Sequence, residues 1–158
     1  MLYRFTFGRD ARVNLLLGTG HFLSHFYQLC LPPMFIAWQQ AFDVSFAELG
    51  LVIAAMSATA GLLQTPMGFL VDRYGAHPFL IGGTLLMALS ISAMGFAADY
   101  WQLVVLALAS GVGNSVFHPA DYAILSGSID PMRLGRSFAF HTSPGASGSP
   151  QHLLRRPH

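Results

Sequence analysis

Apolar residues run through this chain in long blocks separated by short polar intervals. Four blocks reach the roughly 20 residues a helix needs to cross a bilayer core: Val13 to Trp38, Phe46 to Val71, Phe79 to Ala98, and Gln102 to Ser126. The intervals carry turn chemistry, with Asp43 and Ser45 in the first, Asp72, Gly75 and Pro78 in the second, and Asp99 in the third. The pattern predicts an all-α membrane protein with four transmembrane helices laid out as successive hairpins. The first block does not fit a signal peptide: it is too long, it holds His21, His25 and Gln28, and it lacks a small-residue cleavage site.

Polar residues inside the blocks recur at helical spacing. Asn14, Gly18, His21, His25 and Gln28 fall within an arc of about 80° on the first helix. Ser57, Gly61, Gln64 and Gly68 repeat the stripe on the second, and Gly111, Asn114, Ser115, His118, Asp121 and Tyr122 on the fourth. The third offers only small residues and hydroxyls such as Gly83, Thr84, Ser90 and Ser92, so it is expected to face lipid.

An ionisable group inside a span costs about 2.5 to 3.5 kcal/mol on insertion scales, so such groups face a bundle interior or a water-filled cavity. This points His21, His25 and His118 inward, either as interhelical hydrogen-bonding groups or as a substrate or proton pathway. The pathway set is His21, His25, Gln28, Gln64, Asn114, His118 and Asp121. Asp121 lies nearer the helix end, where a solvated or capping role fits equally well. Pro119 frees a carbonyl one turn back and predicts a bend in the fourth helix. Gly61, Gly68, Gly111 and Ser115 read as close-approach positions between helices.

Composition agrees with the membrane reading: of 158 residues, 53% are hydrophobic and 9% charged, against about 25% charged in an ordinary soluble domain. The net charge is +1 and there is no lysine, which leaves no basic surface for a nucleic acid backbone. Cys30 stands alone, without a disulfide or CxxC partner, and reads as a small packing residue. His21 and His25 have the i, i+4 spacing of a metal pair, but no HExxH glutamate follows and a third ligand would have to come from another helix. No metal, cofactor or enzymatic chemistry is expected.

The arginines set an orientation. Arg4, Arg9 and Arg12 precede the first helix, Arg73 sits in the second interval, and Arg133 and Arg136 follow the fourth helix, whereas the first and third intervals hold none. The positive-inside rule then puts both ends of the ordered chain in the cytoplasm, as a multi-pass protein of the cell inner membrane. Trp38, Tyr100 and Trp101 fall at the opposite ends, where an aromatic belt is expected.

Domain organisation follows: a cytoplasmic arm over 1–12, a four-helix membrane region over 13–128, and a cytoplasmic loop opening a lost fifth helix over 129–142. Residues 143–158, SPGASGSPQHLLRRPH, are expected to be a disordered, non-homologous tail, the product of a shifted reading frame that cuts off the natural continuation.

The second interval, Gly68-Phe69-Leu70-Val71-Asp72-Arg73-Tyr74-Gly75, resembles the G-x-x-x-D-R-x-G signature of the major facilitator superfamily. In that family this loop latches the two halves of the transporter in one state, which implies a latch of Gly68, Asp72, Arg73 and Gly75 with Arg133 and Arg136. The signature usually continues with two basic residues, and here Ala76 and His77 stand there. Gly111 to Tyr122, followed by Arg133-Leu134-Gly135-Arg136-Ser137, is similar to the fosmidomycin resistance branch of the superfamily. The resemblance covers residues 10 to 142. It implies a twelve-helix parent built from inverted three-helix repeats, with the first and fourth helices lining a central cavity. It further implies drug efflux by proton antiport, the parent's partners being a small molecule, protons and the lipid bilayer. Many such antiporters keep an Arg four residues before the first Gly of the fourth helix; here that position is Ala107, so a histidine would have to carry the proton. The alternatives are a self-contained four-helix protein acting as a homo-oligomer, or a symporter of another small solute.

Overall fold

The computed structural model describes residues 8–129 together with 132, 134, 135, 137 and 138. The regular elements among them are helices: α1 Arg9–Leu29, α2 Leu31–Phe42, α3 Phe46–Tyr74, α4 Ala76–Met94, α5 Tyr100–Asn114 and α6 Phe117–Ser128. The protein is an all-α membrane protein.

Three stretches among the described residues are long and apolar enough to cross a membrane: Phe46–Tyr74, Ala76–Met94, and α5 with α6 from Tyr100 to Ser128. The first block, expected as a fourth such helix, differs. It is divided at Cys30 into α1 and α2. Pro32 and Pro33 open α2, where a missing N–H costs nothing, and the polar stripe of α1 dilutes its hydrophobicity. The fourth block is interrupted where Pro119 leaves the Ser115 carbonyl without a donor, and Ser115 and Val116 form the step between α5 and α6.

The turns are built locally. Ser45 and Glu48 make a reciprocal capping box on α3, the Glu48 N–H donating to Ser45 Oγ at 3.2 Å and the Ser45 N–H to Glu48 Oε2 at 2.7 Å. Asp99 caps α5 by accepting from the Gln102 N–H at 2.9 Å. The Tyr100 hydroxyl donates to the Glu48 carbonyl at 3.1 Å, so the first and third intervals share one end of the bundle. At the other end a single residue, Gly75, joins α3 to α4 with φ +92° and ψ 150°, a conformation that only glycine adopts without strain.

α5 lies between α3 and α4, while α3 and α4 touch each other little. Because lipid tails are as apolar as leucine, helices in a bilayer associate through close backbone contact rather than hydrophobic burial. Glycines provide it. A Cβ on Gly113 would stand 2.6 Å from the Gly83 carbonyl and 2.8 Å from the Met87 nitrogen, and one on Gly111 would stand 2.5 Å from the Met56 carbonyl. The small residues of the third block therefore serve packing on one face of α4, while Ile81, Leu85 and Leu89 on the other point outward.

Aromatic placement divides. Trp101 is exposed at its helix end, but Trp38 is buried among Leu31, Leu49, Val52 and Leu103. α2 packs against α3, and the indole of Trp38 is buried in the core there rather than exposed as a belt residue. Ala107 is fully buried in this same apolar cluster.

Candidate functional site

α1 and α6, far apart in sequence, pack side by side and bring the ionisable residues of the first and fourth blocks together. His21 Nδ1 lies 3.6 Å from Asp121 Oδ2. The His21 side chain is 17% exposed and that of Asp121 1%. On the other edge of the same imidazole, His21 Nε2 is 3.1 Å from His25 Nε2. His118 joins the group edge-to-face, its ring centroid 5.5 Å from that of His21, and Tyr122 lies 6.1 Å beyond His118.

Helical geometry accounts for the grouping. His21 and His25 are one turn apart on α1, and His118 and Asp121 are three residues apart on α6, so each pair occupies one face. The Ser24 hydroxyl donates to the His21 carbonyl at 2.7 Å and fixes the turn between the two imidazoles. Asp121 is buried beside His21 and is neither a helix cap nor a solvated carboxylate, in contrast to the alternative that its sequence position left open.

The remaining expected pathway residues are placed differently. Gln28 turns back on its own helix and donates to the Ser24 carbonyl at 3.3 Å. Gln64 on α3 and Asn114 on α5 are half-buried, and neither hydrogen-bonds to the histidine group among the described residues. Asn14, on the histidine face of α1, donates to Ser137 Oγ at 3.1 Å and ties the start of α1 to the segment after α6. Sequence reasoning put Asn14 on the stripe but had no signal for Ser137, because that contact spans 123 residues. Among the described residues no group of three or more His, Cys, Asp and Glu could hold a metal ion.

Of the expected latch, Asp72 and Arg73 are exposed in the last turn of α3, and the Arg73 guanidinium lies over the Tyr74 ring at 5.5 Å. No side-chain hydrogen bond caps α4. Gly68 packs on α6, where a Cβ would meet Pro119 Cβ at 3.8 Å. Arg133 and Arg136 lie outside the described residues.

Residues 17–149 match the Major Facilitator Superfamily, and the chain belongs to that family, whose members move small molecules across membranes rather than act as enzymes. It is 35% identical over 112 residues to an uncharacterised MFS-type transporter of Mycobacterium tuberculosis strain H37Rv, covering 68% of this chain and 27% of that protein. It is 34% identical over 82 residues to the multidrug resistance protein MdtH of Enterobacter sp. strain 638, covering 52% of this chain and 20% of that protein. MdtH of Escherichia coli strain HS matches at 33% with the same coverage. The chain thus spans about a quarter of the length of the first of these relatives. No solved structure matches.

Proposed function

We propose that this chain supplies the first segments of a drug-efflux transporter of the fosmidomycin resistance type, which exports a small molecule in exchange for protons. The observation that carries the reading is the meeting of His21 with Asp121 between the first and fourth segments. Imidazole is the side chain whose ordinary titration falls near neutral pH, and a group loaded and unloaded within the cell's pH range is what antiport requires. Ala107, buried in an apolar cluster, supports a histidine rather than an arginine as the proton carrier. The names of the MdtH relatives support a drug as cargo.

Transport by a full-length protein carrying these residues, in inside-out vesicles with the lumen acidified, tests this reading. Substrate should accumulate in the lumen while protons leave it, and accumulation should collapse when the pH gradient is dissipated. Accumulation that survives dissipation contradicts antiport.

We place the protein in the cell inner membrane with its N-terminus in the cytoplasm, on the distribution of arginines. Cys30 is the chain's single cysteine, so in a Cys30→Ser background new cysteines at Asp43 and Asp99 report one site each. Both should react with an impermeant thiol reagent added to intact cells. Reaction only from the cytoplasmic side reverses the topology.

A further inference from the structure

The end of the bundle where the first and third intervals meet carries one sign of charge. Asp43, Glu48 and Asp99 stand there, and the chain has no Arg, Lys or His between His25 and Arg73 or between His77 and His118. The bond from the Tyr100 hydroxyl to the Glu48 carbonyl holds the two intervals together. At this end the α4–α5 hairpin leaves a cleft of about 480 Å³, lined by Ala93 of α4, by Asp99, and by Trp101, Gln102, Val105 and Leu106 of α5. Its volume lies within the range of about 300 to 1,000 Å³ typical of small-ligand sites.

We propose that this cleft binds a phospholipid with an ammonium headgroup, the ammonium lying between the Asp99 carboxylate and the Trp101 indole and an acyl chain lying over Ala93, Val105 and Leu106. The site is separate from the histidine group and does not rest on the transporter reading.

The cleft has a polar mouth and an apolar floor. Residues 95–99 join two membrane spans, so Asp99 and Trp101 lie at headgroup level, and Val105, about one helical turn past Trp101, lies deeper among the acyl chains. Trp101 is 72% exposed, and the Tyr100 ring packs edge-to-face against it at 5.4 Å. An exposed indole presents a π face that attracts ammonium ions.

Asp99 keeps acceptor capacity beyond its capping role. Its Oδ1 accepts the Gln102 backbone N–H at 2.9 Å and its Oδ2 the Gln102 side-chain amide at 3.0 Å. A carboxylate offers about four lone-pair sites, so each oxygen retains one for an ammonium N–H. Gln102 is held in turn, its Oε1 accepting the Ala98 N–H at 2.9 Å, which pins the carboxylate at the mouth. Charge then decides between lipids. Anionic headgroups are recognised by clusters of Lys and Arg, and this end has none to offer a phosphate, whereas an ammonium headgroup brings the charge that Asp99 lacks.

Tryptophan quenching tests the site with the chain in nanodiscs of phosphatidylethanolamine and phosphatidylglycerol at equal mole fraction, the acyl chains of one lipid or the other being brominated. Trp38 and Trp101 are the two tryptophans, so subtracting the emission of Trp101→Phe isolates Trp101. The quenching should report the ethanolamine lipid at about five times the local occupancy of the glycerol lipid, the scale of one exposed ion pair with one cation–π contact. Asp99→Asn keeps a capping side chain but removes the charge, and should lower that ratio about two-fold. Asp43→Asn removes a charge from the same end outside the cleft and should leave the ratio unchanged. Equal occupancy, or preference for the glycerol lipid, in the unmodified chain overturns the proposal without recourse to any variant. So does a ratio unmoved in folded Asp99→Asn, and so does an equal fall in both variants, which assigns the preference to the whole end of the bundle. Quenching by neither lipid means that protein covers the cleft, and overturns the proposal as well.

Discussion

Gly113→Leu should destabilise the bundle severely. The nearest neighbours of a Cβ at this position are backbone, the Gly83 carbonyl at 2.6 Å and the Met87 nitrogen at 2.8 Å, so no side-chain rotation relieves the clash and α4 must separate from α5. Overpacking of this kind costs about 3 kcal/mol, roughly a hundred-fold in the ratio of folded to unfolded protein. Because α5 also packs against α3 through Gly111, it cannot retreat in the opposite direction. Gly82→Leu is the control, since nothing lies within 4 Å of a Cβ there. Thermal unfolding in detergent micelles should show a large loss for Gly113→Leu and little change for Gly82→Leu. Equal losses would mean that the backbone crossing does not set the cost.

Asp72→Asn should lower transport by a full-length protein about ten-fold, the population shift produced when a contact worth about 1.4 kcal/mol in one conformation is lost, while expression and membrane insertion stay normal. Asp72 is exposed beside the one-residue Gly75 turn, where its carboxylate is open to a partner on another element, and Gly68 joins the same loop to Pro119 of α6. A change at the loop therefore has a short physical route to the helix that carries His118 and Asp121. Transport at the normal rate with normal expression removes the latch assignment.

Much of the bundle was legible in the sequence because hydropathy, turn residues and proline each act locally. The second block was expected from Phe46 to Val71 and is helical from Phe46 to Tyr74; the fourth was expected from Gln102 to Ser126 and runs from Tyr100 to Ser128. The interruption at Ser115 follows from the missing N–H of Pro119. Hydropathy alone did not show that the first block is two helices, because an apolar run scores the same whether or not Pro32 and Pro33 interrupt its hydrogen-bond ladder. The side of α4 that packs was equally hidden, since small residues suit both a lipid face and a glycine crossing.

The site was legible by stripe and not by contact. The 3.6-residue period put His21 and His25 on one face and gave the same reading for His118, but no local rule relates the depth of α1 to that of α6. The register between them comes from packing: Leu17 of α1 is buried with Leu125 and Ile129, which brings Asp121 level with His21. Gln28, Gln64 and Asn114 shared the stripes by spacing, and among the described residues none of them hydrogen-bonds to the imidazoles.

The most direct test of the central claim, that imidazoles between the first and fourth segments carry the coupling proton, is uphill transport along an imposed pH gradient in proteoliposomes of a full-length protein bearing His21→Gln, His25→Gln or His118→Gln. Glutamine keeps a hydrogen-bonding side chain and cannot titrate. His21, which touches Asp121, His25 and His118, should be indispensable, its variant accumulating no more substrate than protein-free liposomes while still equilibrating it downhill. Accumulation at the unmodified rate by all three variants would contradict the account and return these residues to interhelical packing.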